Sequence, residues 1–285
     1  MKNIKKLRLI ELDPWLTGSE EDVVRRYLRY CERMDYLKRD FGGLMKFADG
    51  YNHFGIHYDR KRKGWIYREW APAAKALYLT GDFNGWERFT HPLKKAEFGI
   101  WEIFLDGKTN EKTFTHESLI KIIVDSGPGL QYRIPAYITR VVQDEVTKNF
   151  TAQLWMPEPF DWEDDHFDIG SLDTLFIYEC HPGMAQEKES IGTWEEFTGN
   201  ILPRIKKAGY NVVQLMAVQE HPYYGSFVYH VSSFFAPSSR FGTPDDLKRL
   251  VKKAHDMGMG VIMDIVLSHT EENILEGINL FDGTD

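Results

Sequence analysis

The chain has 285 residues, 35 Lys plus Arg against 43 Asp plus Glu, for a net charge of −8; its length fits about two domains, and its charge excludes nucleic-acid binding driven by clustered cations. A hydrophobic fraction of 42% with 27% charged residues excludes wholesale disorder and a fibrous chain. Two cysteines, Cys31 and Cys180, supply neither a disulfide framework nor a CxxC metal site.

The first predicted element is a helix from Ser19 to about Arg39, where Val23, Val24, Tyr27, Leu28, Cys31, Met34 and Leu37 recur at three- and four-residue steps. Ser19 followed by Asp22 reads as a capping box, and Gly42 with Gly43 as the stop. This defines an N-terminal helical segment over residues 1–50. Its start lacks the apolar h-region of a secretion signal, being broken by Arg8, Glu11 and Asp13. No uncharged apolar run approaches the ~20 residues of a membrane helix, so the expectation is a soluble, cytoplasmic protein.

Over residues 51–160 the pattern becomes short β-rich runs: Trp65 to Trp70, Ala76 to Thr80, Ile100 to Leu105, Ser118 to Val124, Tyr137 to Val142 and Thr151 to Met156. Gly, Asn, Asp and Pro clusters separate them, as in an antiparallel β-sandwich. Trp101 belongs to the core. The turn Gly81-Asp82-Phe83-Asn84-Gly85-Trp86 has Asn84-Gly85 for positive φ angles. Trp86 has two assignments, a stacking platform for a sugar ring or a cap on the sandwich core. An aromatic content of 14% suits either.

After Asp173 strands and helices alternate: strand Leu175 to Tyr178, helix Trp194 to Ala208 stopped by Gly209, and strand Val212 to Val218. Then come helix Asp245 to Met257, opened by Pro244 and closed by Gly258, and strand Val261 to Val266. This order predicts a parallel sheet with right-handed crossovers, either doubly wound or the start of a (β/α)8 barrel. Function gathers at the carboxyl ends of such strands. Glu179 to His181, Glu220 to His221 and Asp264 to His269 each place a carboxylate and a histidine there. These groups can do acid/base or metal chemistry, or tie loops by hydrogen bonds. The connection Gln219 to Gly242 holds Tyr223, Tyr224, Phe227, Tyr229, His230, Phe234 and Phe235, a length and composition typical of functional loops. Neither a GxGxxG nor a GxxxxGK[ST] motif follows the first strand, so dinucleotides and nucleoside triphosphates are not expected.

Several stretches, in order, resemble the N-terminal portion of 1,4-α-glucan branching enzymes of the α-amylase superfamily: Glu11 to Leu16, Tyr67-Arg68-Glu69-Trp70-Ala71-Pro72, Gly81 to Trp86, Leu202 to Lys206, Tyr229-His230-Val231, Ser238 to Pro244 and Phe281 to Asp285. The resemblance implies a helical segment, a glycan-binding sandwich and, over residues 174–285, the first three β/α units of a truncated (β/α)8 barrel. The implied activity cuts an α-1,4-glucan chain and rejoins it through an α-1,6 bond, with glycogen or starch as partner and no cofactor, metal, nucleic acid or membrane. Carried onto this sequence, Asp264 supports the geometry and charge of the site. His269 bonds hydroxyls of the sugar at the cleavage point, Tyr229 stacks beneath that sugar, and Trp86 contacts glycan on the sandwich.

The chain departs from the family pattern at Leu267, where a histidine is usual, at Val228, where a glycine precedes the Tyr-His pair, and at Pro182. Residues 174–285 are too few for the roughly 250 of a complete barrel. Retaining transfer needs two carboxyl groups about 5 to 5.5 Å apart, which the family draws from later strands, so no catalytic residue is assigned here. Glu220 and Asp264 are not expected to replace them, since closeness without a prepared pocket makes neither a nucleophile nor an acid. A non-catalytic glycan-binding protein and a debranching or amylolytic hydrolase are the alternative functions.

Overall fold

A computed structural model describes residues 7–216, 218–226 and 229–284; they fall into two units, one ending at His53 and one beginning at Phe54. In the first unit helix α1 spans Glu20–Phe41. Glu20, Glu21 and Asp22 occupy its first turn and Lys38 and Arg39 its last, each opposing the helix dipole with the favourable sign. Gly42 takes the left-handed conformation at φ 78°, and the amides of Gly42 and Gly43 donate back to the carbonyls of Lys38 and Leu37. The start differs from the expected capping box. Ser19, at φ −114° and ψ 14°, makes no side-chain capping bond, and the Glu20 carboxylate instead accepts from the Gly18 amide at 2.7 Å. Shorter helices, Arg8–Leu12 and Leu44–Phe47, flank α1. Among the described residues no helix is long and apolar enough to cross a membrane.

The second unit opens with nine strands: β1 (Gly55–Asp59), β2 (Gly64–Trp70), β3 (Ala76–Gly81), β4 (Lys94–Lys95), β5 (Ile100–Asp106), β6 (Leu119–Ser126), β7 (Gly129–Arg133), β8 (Val141–Gln143) and β9 (Phe150–Gln153). One antiparallel sheet runs β1-β2-β5-β4; the other runs β3-β6-β9-β8 with β7 also paired to β6. Their facing side chains form one buried core that includes Tyr67, Leu77, Leu79, Trp101, Ile120 and Ile122. The strand expected from Tyr137 starts later, at Val141. Pro135 makes a turn closed by the Ile138 amide, and the Tyr137 ring stacks between Phe54 and Phe235, at centroid distances of 5.0 and 4.7 Å.

Beyond the sandwich, β10 (Ile177–Cys180), β11 (Val212–Leu215) and β14 (Gly260–Met263) form a parallel sheet in the order β10-β11-β14, with Tyr178 opposite Val213 and Val213 opposite Val261. The first crossover is not the continuous α-helix expected. A helical turn at Trp194–Glu196 passes into a π-helical segment, Phe197–Ile201, before α2 (Leu202–Lys207). Pro203 lacks the amide that would bond to Gly199, so the α ladder is interrupted there. The second crossover is α3 (Pro244–Asp256), where the Thr243 hydroxyl accepts from the Asp246 amide while the Asp246 carboxylate accepts from the Thr243 amide.

The long connection before α3 is partly built. Strands β12 (Gln219–Glu220) and β13 (Ser233–Pro237) pair antiparallel across an irregular register. The expected strand Val212 to Val218 therefore ends at Leu215, and the expected strand Val261 to Val266 ends at Met263. Ala236 of β13 reaches the sandwich core, so the connection after β11 is braced against the sandwich.

Candidate functional site

Asp264 stands immediately past β14, its amide bonded to the Leu215 carbonyl at 3.0 Å. The Tyr229 hydroxyl, from the connection after β11, donates to Asp264 Oδ2 at 3.0 Å. His269 Nε2 lies 2.9 Å from the Tyr229 carbonyl oxygen, and its Nδ1 lies 2.9 Å from Ser268 Oγ. A carbonyl can only accept, so Nε2 carries the proton and Nδ1 accepts from the serine hydroxyl. The neighbouring His230 pairs with Glu271 at 3.1 Å, and its ring meets that of His269 edge-on at 6.4 Å. Tyr229 and Asp264 are half-buried and His269 is exposed. Burial, then the hydrogen bond and charge of Asp264, hold the Tyr229 phenol above its ordinary pKa. Three of the four expected site residues thus converge at the carboxyl ends of the parallel strands.

Glu220 takes the loop-tying assignment. It is fully buried, its Oε2 accepts from the Ser239 amide at 2.8 Å and its Oε1 from the His221 amide at 3.1 Å. Burial raises its pKa against those bonds. His221 is buried among Tyr224 and Phe241, and desolvation pushes its pKa down to about 4. The Cys180 thiol is pushed up to about 12 by burial and is no nucleophile. Leu267 is 73% exposed, Pro182 is buried, and Val228 lies outside the described residues.

The fourth expected residue, Trp86, lies on the sandwich. Its turn differs from the expected Asn-Gly pair: the positive φ angles fall on Gly85 and Trp86, both 63°. Asn84 works through its side chain, accepting from the Gly81 amide at 3.0 Å and donating to the Glu87 carbonyl at 2.9 Å. Phe83 turns into the core. Trp86 is 37% exposed, and its indole N–H donates to Asp82 Oδ1 at 2.9 Å, while Asp82 Oδ2 accepts from the Leu119 amide at 2.7 Å. Phe83 thus packs into the core, and Trp86 presents a partly exposed ring whose indole N–H is held by a carboxylate.

A buried carboxylate on the sandwich escaped sequence reasoning. Glu69, in β2, is fully buried beside a cavity of about 330 Å³ lined by Phe54, Trp70, Tyr137 and Phe235. It accepts from the Tyr67 hydroxyl at 2.9 Å and from the amides of Ala136 and Trp70 at 2.9 and 3.0 Å. Desolvation lifts its pKa to about 7. The available signal was the period of the strand, which puts Glu69 on the same inward face as Tyr67.

Residues 53–138 match the family Carbohydrate-binding module 48 (Isoamylase N-terminal domain), and residues 183–276 match Alpha amylase, catalytic domain. Among solved structures, a putative alpha amylase from Salmonella typhimurium covers 76% of this chain and is itself covered over 34%, with a TM-score of 0.60 at 20% identity. A Group B Streptococcus pullulanase, solved with maltotetraose, gives a TM-score of 0.60 at 20% identity over 76% of this chain and 34% of its own. These likenesses concern the fold. Sandwich and parallel sheet together are thus a carbohydrate-binding module 48 followed by α-amylase catalytic-domain sequence.

Within that class the relatives are more specific. The chain is 42% identical over 282 residues to the 1,4-alpha-glucan-branching enzyme of Equus caballus, covering 98% of this chain. It is 43% identical over 281 residues to that of Aspergillus oryzae, covering 97%. A chloroplastic/amyloplastic 1,4-alpha-glucan-branching enzyme of Arabidopsis thaliana is 43% identical over 98% of this chain and 34% of its own length. The chain belongs to the 1,4-alpha-glucan-branching enzyme family, and it spans about 40% of the length of the horse and Aspergillus relatives.

Proposed function

We propose that this chain holds α-1,4-glucan for a branching reaction, in which a glucan segment is cut at an α-1,4 bond and rejoined through an α-1,6 bond in glycogen or starch. Residues 51–160 are the glycan-binding module, and residues 174–285 are the first three β/α units of a (β/α)8 barrel. The observation that carries the reading is the meeting of Tyr229, Asp264 and His269 at the strand ends, where barrel enzymes place their chemistry.

The Tyr229 ring offers its face to the apolar side of a glucose ring, and its hydroxyl is already spent on Asp264, which fixes the ring plane. At His269 a sugar hydroxyl replaces the Ser268 hydroxyl at Nδ1. Trp86, braced by Asp82, engages a second stretch of the polymer on the sandwich. Glu220 spends its carboxylate on its own connection. The nucleophile and the acid/base therefore belong to the length of the relatives that this chain does not span.

Co-sedimentation with glycogen tests the reading, together with an iodine assay on amylose. The expected result is retention on glycogen that weakens roughly 2- to 10-fold in Trp86→Ala, with no change in the iodine spectrum. Failure to be retained would overturn the glucan assignment. Loss of iodine staining caused by this chain alone would overturn the placement of the catalytic pair.

A further inference from the structure

A cavity of about 790 Å³ opens on the sandwich between the β1–β2 hairpin and the segment after β5, and no residue of the Gly81 to Trp86 turn lines it. We infer that it is a second glucan-binding site, separate from Trp86, that takes a neutral segment of α-glucan; the inference rests on the reading above that the chain engages glucan. One wall is aromatic. Tyr58, half exposed, meets Trp65 edge-on at 4.9 Å, and Trp65 leans on buried Phe114 at 5.9 Å, so the wall is anchored in the sandwich core. The volume lies within the 300–1,000 Å³ usual for small-molecule sites.

The rim supplies the polar half of the recognition. The side chains of Lys63, Lys108 and Glu111 line the cavity and have no hydrogen-bond or ion-pair partner among the described residues. His116 Nδ1 accepts the Met156 amide at 2.9 Å, which leaves Nε2 as a donor. Cationic donors and an acidic acceptor on one rim suit vicinal hydroxyls, which both give and take hydrogen bonds. The aromatic wall suits the C–H face of the same ring. Asp106 and Glu111 offset two of the three cations that line the cavity, so the rim is of mixed charge and not a concentrated positive patch. The Arg62 guanidinium is engaged on the Phe104 ring at 3.8 Å.

The test is titration of the chain with maltoheptaose while the indole N–H resonances of Trp65 and Trp86 are followed by NMR, each assigned with a Trp→Phe variant. Both resonances are expected to shift. Tyr58→Ala should weaken the Trp65 response roughly 2- to 10-fold and leave that of Trp86 unchanged. Lys108→Ala, at an exposed position that leaves the fold intact, should weaken the same response. Trp86→Ala should leave the Trp65 titration in place. A Trp65 resonance that stays still while Trp86 moves overturns the second site and spares the glucan reading; stillness of both overturns the two together. A Trp65 shift with inorganic phosphate but none with maltoheptaose overturns the assignment to neutral glucan.

Discussion

The Tyr229 hydroxyl donates to Oδ2 of Asp264 across 3.0 Å, tying the aromatic connection after β11 to the end of β14. His269 reaches the same tyrosine through its backbone carbonyl. Tyr229 is therefore held at both ends, by its phenol and by its main chain, and its ring plane is set before a ligand arrives. Such bracing from different elements is what positions a functional side chain to within a fraction of an ångström.

Removing the charge of that partner should be read directly at Tyr229. Burial, then the bond and charge of Asp264, hold the phenol above its ordinary value of 10. Asp264→Asn removes the negative charge that opposes a phenolate, so the Tyr229 pKa should fall yet stay above 10, because burial remains. Titration of Tyr229 by NMR of a tyrosine-labelled chain checks this. An unmoved value would show that the pair is not formed in solution.

The turn that carries Trp86 depends on close approach at Gly81. A Cβ there would lie 2.2 Å from the Leu119 carbonyl oxygen and 2.9 Å from Ile120 Cα, both backbone atoms of the paired strand β6. At Gly85 a Cβ would meet nothing, and only the φ of 63° resists substitution. Gly81→Ala should therefore cost about 3 kcal/mol, against about 1 kcal/mol for Gly85→Ala. Urea unfolding of the two variants gives the comparison, and equal costs would remove the close approach from the account.

Which of these features could be read beforehand follows from their physics. The turn-punctuated runs of the sandwich and the alternation after Asp173 reflect burial, which sequence displays directly, while the period of α1 located the helix although only Leu37 of its stripe is buried. The strand-end site followed from the parallel sheet, and its particular residues from the ordered motifs. The β12–β13 pairing was hidden because its strands are short and its register shifts between Gln219 and Glu220. The π segment was marked only by Pro203. Glu69 and Arg133 were missed for a common reason: each is a charged residue buried completely, against the hydropathy on which core assignment rests.

Arg133 shows what such burial accomplishes. Its guanidinium donates to the carbonyls of Leu280, Gly277 and Asn279 at 2.8, 2.9 and 2.6 Å and stacks over the Phe281 ring at 5.1 Å. These bonds fasten the segment after His269 to the sandwich, and the Asp282 carboxylate adds a bond from the Ala73 amide at 2.8 Å. Arg133→Met fills a similar volume but leaves three carbonyls without a donor, so a loss of about 3 kcal/mol is expected. Hydrogen exchange across residues 277–284 should rise in the variant. Arg133→Lys, with one ammonium in place of the fork, should recover only part of the protection.

Glu69 gives the chain a pH dependence whose sign is set by burial. Desolvation raises its pKa from 4.5 to about 7 in the fold, against three bonds from Tyr67, Ala136 and Trp70 that favour the carboxylate. The folded state then binds a proton that the unfolded state has released, so between pH 4.5 and about 7 stability falls as pH rises. At 1.36 kcal/mol per unit, the stability present below pH 4.5 is reduced by roughly 3 kcal/mol above pH 7. Glu69→Gln cannot titrate, and its amide must turn one N–H group toward a backbone donor, so it is expected to be less stable than the parent at pH 4.5. That deficit should shrink steadily toward pH 8, because only the parent loses the proton-linked contribution. Unfolding of both chains by urea across this range measures the difference; a constant gap would mean that Glu69 is ionised throughout and that its three donors outweigh its burial.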